Sequence, residues 1–122
     1  MIYLGGTNGG SNWRSELIPM LNIPYTMLNI DANPNIDFLL YTVTPLLTRF
    51  NVIIKILKYS KIYEEKLIVC ILENDICPDT GKKIKFDENA MILFDCLNKI
   101  LYKNNSNMFW CLESVANYVN EP

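Results

Sequence analysis

The sequence predicts an α/β protein: an open, mainly parallel sheet of about five short strands with helices on both faces. Three observations predict it. Short apolar runs alternate along the chain with segments of helical period. Lys66-Leu67-Ile68-Val69-Cys70-Ile71-Leu72 is almost wholly apolar, the pattern of a strand buried on both faces. Phe38-Leu39-Leu40-Tyr41-Thr42-Val43 ends in Thr44-Pro45 and feeds a helix, which is the strand-to-helix turn of such a sheet. Ligands of open α/β sheets sit just outside the carboxyl ends of the strands. The helix after Thr44-Pro45 is therefore the first candidate for a site wall.

Met1-Ile2-Tyr3-Leu4 reads as the first strand, followed by the turn Gly5-Gly6-Thr7-Asn8-Gly9-Gly10. Glycines there let backbone N–H groups approach a phosphate or sugar; the alternative is a plain tight turn. The turn is not G-x-G-x-x-G, and no acidic residue stands at the spacing of a dinucleotide ribose contact. Ser11 is a candidate N-cap for a helix through Trp13, Arg14, Leu17 and Ile18 toward Leu21, which Pro19 should bend or shorten. Tyr25 to Ile30 reads as strand two, Asp31-Ala32-Asn33-Pro34-Asn35 as a turn, and Asp37 to Val43 as strand three. About half a dozen residues separate strands two and three, too few for a helical crossover.

The next helix runs from Thr48 to Ser60. Asn51, Lys55 and Lys58 share one stripe; Phe50, Val52, Ile53, Ile54, Ile56, Leu57 and Tyr59 cover most of the rest. Packing on one sheet face needs an apolar stripe of only about 100°. A second surface should therefore cover this helix, a partner subunit being the simplest, so a homo-oligomer is expected. After the strand at Lys66–Leu72, Glu73 to Phe86 reads as a polar loop with a turn at Cys77-Pro78-Asp79-Thr80-Gly81. Asp87 should cap a helix through Met91, Phe94, Leu97, Ile100 and Leu101, ended by Asn104 to Asn107. Met108-Phe109-Trp110 is a last strand. Leu112, Val115, Ala116 and Val119 mark one face of a final helix.

The 122 residues form one domain, 1–122. Apolar residues at 50% and charged residues at 20% fit a globular fold. A net charge of −2 gives no footprint for a nucleic acid polymer. There is no histidine, which excludes Ser-His, Cys-His and His-metal chemistry within the chain. The four cysteines include no C-x-x-C pair, so no metal or other cofactor is expected, and they read as free thiols of a reducing compartment. No signal-peptide pattern and no membrane-length apolar run is present, so a cytoplasmic protein is expected.

Tyr3-Leu4-Gly5-Gly6-Thr7, Trp13-Arg14-Ser15-Glu16-Leu17-Ile18-Pro19, Asn29, Leu40-Tyr41-Thr42-Val43-Thr44-Pro45, Lys66 to Glu73 and Leu112 to Asn120 occur in order. In these elements the chain resembles the nucleoside 2-deoxyribosyltransferase-like family, in particular its short branch common in phage genomes. The likeness covers nearly the whole chain and implies the family's flavodoxin-like sheet. Family members cut an N-glycosidic bond with a carboxylate nucleophile. That Glu follows the T-P turn in a pattern like T-P-x-x-T-G-x-Y-S-x-x-E. Thr44, Pro45 and Thr48 match it; Arg49 falls at the Gly, Asn51 at the Tyr, Val52 at the Ser and Lys55 at the Glu. Lysine cannot serve as that nucleophile. Ile30 stands where the family has Pro after its Asn, and the helix before strand three is missing; Asp31 is the residue left to replace its acids.

The resemblance thus implies the scaffold without its chemistry, and leaves three readings. One is an inert scaffold that acts through protein contacts. A second is an enzyme with a relocated carboxylate, such as Asp31 or Glu73. The third is a non-catalytic binder of a phosphorylated nucleotide-type ligand, such as a sponge for a nucleotide immune signal, in which Arg49 and Lys55 pair with phosphate. The expected ligand contacts come from Gly5, Gly6, Thr7 and Asn8 of the turn, Trp13 and Arg14 of the first helix, and Asn29 and Asp31. Thr44, Pro45, Thr48, Arg49, Asn51 and Lys55 complete them. Core packing is the alternative for Trp13, a surface pairing for Arg14, and a solvated helix face for Arg49 and Lys55.

Overall fold

The structure, a computed structural model, describes residues 1–28 and 35–121. Five parallel strands make the main sheet: β1 (Ile2–Gly6), β2 (Tyr25–Thr26), β3 (Phe38–Val43), β4 (Leu67–Ile71) and β7 (Asn107–Phe109), in the order β2-β1-β3-β4-β7. Among the described residues four helices pack on it: α1 (Trp13–Leu17), α2 (Asn51–Ile62), α3 (Glu88–Lys103) and α4 (Leu112–Asn120). A two-residue side-chain period divides the strands between two cores. Ile2, Leu4, Leu40, Ile68 and Cys70 meet Trp13 and Leu17 of α1 and Leu112, Val115, Ala116 and Val119 of α4. Leu39, Tyr41, Val43, Leu67, Val69 and Ile71 meet Ile56 of α2 and Phe94, Leu97 and Leu101 of α3. Each fully buried aliphatic side chain contributes roughly 1.5–3 kcal/mol. No helix among the described residues is long and apolar enough to cross a membrane.

Several boundaries differ from the sequence expectation. Pro19 ends α1 at Leu17, and Ile18–Met20 continue as a 3-10 turn. Ser11 does not cap α1; Asn12 precedes the helix, and the Ser11 hydroxyl donates to the Asp75 carboxylate (2.6 Å). β2 stops at Thr26, whose hydroxyl accepts from the Leu28 N–H (3.1 Å). Asn29 and Ile30, and the turn from Asp31 to Pro34, lie outside the described residues. α2 starts at Asn51 rather than Thr48, with no side chain capping its N-terminus, and it runs past Ser60 to Ile62. Its own sheet takes Ile56, and the same core takes Val52, Ile53 and Tyr59, so only part of its wide apolar surface faces outward. Asp87 caps α3 as expected, accepting from the Ala90 N–H (2.8 Å).

The segment expected as a polar loop folds into a hairpin, β5 (Asn74–Ile76) paired antiparallel with β6 (Lys83–Lys85). Gly81, at φ +68°, closes its turn with a bond from its N–H to the Cys77 carbonyl (2.8 Å). In the same turn the Thr80 hydroxyl, then the N–H groups of Asp79 and Thr80, donate to the Cys77 sulfur and lower its pKa. Cys70 is the opposite case: burial, helped by Cys111 and Glu113, pushes its thiol up to about 12. The thiolate is the reactive species. In a Cys96→Ser/Cys111→Ser background, Cys77 should therefore reach half-maximal alkylation by iodoacetamide at a lower pH than an unstructured cysteine peptide. Thr80→Val should move that midpoint upward; an unmoved profile would count against the turn as its cause.

Candidate functional site

β1 and β3 are neighbours, yet the chain leaves them in opposite directions. From β1 it runs through α1 to β2 on one side; from β3 it runs through α2 to β4 on the other. This is the topological switch point of an open sheet, where a crevice opens at the carboxyl ends of the strands. A pocket of about 170 Å³ lies there. Gly5, Gly6 and Asn8 come from β1 and its turn, Tyr3 and Tyr41 from the sheet, Arg14 from α1, and Arg49, Asn51, Val52 and Lys55 from the start of α2.

The floor is aromatic. Tyr3, Gly5 and Tyr41 point to the same face of the sheet, and a Cβ on Gly5 would sit 2.6 Å from the Tyr3 ring and 2.9 Å from the Tyr41 ring. The two rings are 5.8 Å apart and lead on to Tyr59. Burial, then the neighbouring Tyr3 and Tyr59, drive the Tyr41 phenol well above its ordinary pKa, so it stays neutral and can donate a hydrogen bond.

The walls are cationic. Arg14 Nε donates to the Leu4 carbonyl (3.2 Å) and Nη1 to the Thr7 carbonyl (3.0 Å), with the guanidinium 4.5 Å above the Trp13 ring. Burial lowers the Arg14 pKa, but an arginine so far above neutrality keeps its charge. A guanidinium has five N–H donors, so Arg14 retains capacity beyond these two bonds. Arg49, Asn51 and Lys55 are exposed, and Lys55 follows Asn51 by one helical turn. Among the described residues neither Arg49 nor Lys55 pairs with a carboxylate. Among the described residues no Asp or Glu lines the pocket.

The structure thus brings together Gly5, Gly6, Asn8, Arg14, Arg49, Asn51 and Lys55 of the residues singled out in the sequence. It gives others different work. Thr7 is buried, and its hydroxyl accepts from the Thr44 N–H (2.9 Å), tying the end of β1 to the end of β3. Thr44 is equally buried, with its hydroxyl accepting from the Leu46 N–H (3.2 Å). Trp13 is 2% exposed in the α1–α4 core, and Nε1 donates to the Thr7 carbonyl (2.8 Å). Pro45 and Thr48 are not among the lining residues. Asn29 and Asp31 lie outside the described residues. Tyr3 and Tyr41 were not singled out as ligand contacts, although period-two alternation from Gly5 and Val43 places both on the α2 face.

A broader, open cleft of about 340 Å³ lies at the carboxyl ends of β4 and β7. Glu16, Glu73, Glu113, Trp110 and Cys111 line it. Glu73 therefore belongs to a different cavity from Lys55. No group of three or more His, Cys, Asp or Glu suited to a metal ion occurs among the described residues. Compared with known proteins, the chain matches no family model, no curated protein and no solved structure.

Proposed function

We propose that the protein binds a phosphorylated nucleotide-type ligand in the pocket between β1, β3 and α2, and does not turn it over. The observation that carries this reading is the lining itself: Arg14, Arg49 and Lys55 converge on a cavity to which, among the described residues, no Asp or Glu contributes. Cations there favour an anionic ligand over a neutral nucleoside. Retaining glycosyl transfer needs a carboxylate at the anomeric carbon, and the resemblance to deoxyribosyltransferase-like proteins sets Lys55 at that position. A pocket of about 170 Å³ is smaller than the roughly 300–1,000 Å³ of whole-ligand sites. It suits a sugar-phosphate moiety, with the base held at the mouth. A protein that retains such a ligand uncut lowers its free concentration, which is how a sponge for a nucleotide signal works.

Calorimetry across adenine dinucleotides, cyclic nucleotides and ADP-ribose derivatives tests the reading. Charge-assisted contacts are worth roughly 1.5–3 kcal/mol each, so Arg49→Ala and Lys55→Ala should each weaken the best ligand about tenfold to a hundredfold. Chromatography of the same mixtures should show no released base. A neutral nucleoside binding as tightly as its phosphates would defeat the electrostatic argument, and base release would defeat the non-catalytic one.

A further inference from the structure

We infer that the outer face of α2 and α3 is the contact surface for a second copy of this chain, forming a two-fold dimer. Phe50, which precedes α2, and Ile54 and Leu57 within it recur at helical spacing and are 85%, 65% and 38% exposed. On α3, Leu93 and Ile100 lie two turns apart and are 61% and 44% exposed. Between the helices runs a groove of about 120 Å³ floored by Ile53, Leu57, Leu93, Cys96 and Leu97, with almost no polar surface.

The size of this face argues for its occupant. By residue size and exposure, these five side chains present roughly 500 Å² of apolar surface, at the upper end of what a monomer leaves uncovered. A standard interface buries about 800 Å² per partner, of which about 60% is apolar. The patch is thus the apolar portion of one complete standard interface. Its shape also fits a copy of itself. Phe50 and Ile54 form a ridge beside the groove, so a two-fold axis seats the ridge of each copy in the groove of the other, the isologous contact of symmetric dimers. Lys58 and Lys61 can lay their stems along the rim with their ammonium groups in water. The inference rests on residues other than those of the ligand reading: the groove and the pocket beside Asn51 and Lys55 share no lining residue.

Light scattering on the purified chain at tens of micromolar tests it. The wild type should show twice the 14.1 kDa of one chain. Ile54→Asp and Leu93→Asp should each raise the dissociation constant at least a hundredfold, giving one-chain mass with an unchanged far-ultraviolet spectrum. Ile76→Asp, on the exposed hairpin, should keep the wild-type mass. A second measurement uses Cys96 in a Cys77→Ser/Cys111→Ser background, where a short bis-maleimide should join two chains and Cys96→Ser should abolish the product. A one-chain mass for the wild type would overturn the inference and leave the face to a different protein. An assembly that survives both aspartate variants, or Cys96 giving only single-chain adducts, would also overturn it.

Discussion

Gly6→Ala is expected to lower stability by roughly 3–5 kcal/mol, from backbone strain and overpacking combined. Gly6 is the last residue of β1 and has φ +116°, where an L side chain is strained. An added Cβ would sit 2.1 Å from the Thr42 carbonyl oxygen and 2.6 Å from the Thr42 nitrogen. These are backbone atoms of the paired strand, which cannot withdraw without parting β1 from β3. Single domains are stable by only about 5–15 kcal/mol, so the variant should unfold at a much lower urea concentration or fail to fold. Gly9→Ala is the control: Gly9 also has positive φ (+71°), but an added Cβ meets nothing within 4 Å. It should cost about 1 kcal/mol. Equal urea midpoints for the two variants would show that the close approach to Thr42 does not matter.

Lys55→Glu should abolish most of the affinity for a phosphorylated ligand, with a loss of more than about a hundredfold. The substitution removes a cation and adds an anion beside the same phosphate. Two opposite charges at contact near a protein surface interact by at most about 4 kcal/mol, and the exposure of Lys55 reduces that figure. Reversing the sign changes attraction into repulsion, so the effect should exceed that of Lys55→Ala. Because the side chain is exposed and has no carboxylate partner among the described residues, the melting curve should stay unchanged. Calorimetry with the tightest ligand of the panel decides. Affinity within threefold of wild type would place the ligand away from α2.

What could be read from the sequence follows from how strongly burial is written into it. β4 is legible because Leu67 to Ile71 are buried on both faces, so every position is apolar. α4 is legible because Leu112, Val115, Ala116 and Val119 make one stripe. The hairpin is not legible: each of its strands has three residues, and Ile84 is the one apolar side chain in β6. The start of α2 is displaced because no side chain marks it: the helix begins at Asn51 after Phe50, without a side-chain cap. In the site, charge is legible but shape is not. Arg14, Arg49 and Lys55 can be named from the sequence, whereas the floor depends on the side-by-side register of Gly5 and Tyr41. Thr7, Thr44 and Trp13 have the chemistry of ligand contacts, but the junction of β1 with β3 uses their hydrogen bonds first.

The register of the main sheet has a consequence for how the chain folds. Ile2 pairs with Phe38, Leu39 with Leu67, and Ile68 with Asn107. Each pairing closes a loop of roughly 30 to 40 residues before any compensating contact forms. Among the described residues the one strand pair that is local in sequence, β5 with β6, belongs to a separate two-stranded sheet and cannot template the main one. Assembly of the main sheet must therefore begin with a distant encounter, which makes for slow folding at a given stability. Until that encounter succeeds, the β4 segment from Leu67 to Ile71 stays unpaired and wholly apolar, and it is the stretch through which two unfinished chains would stick together.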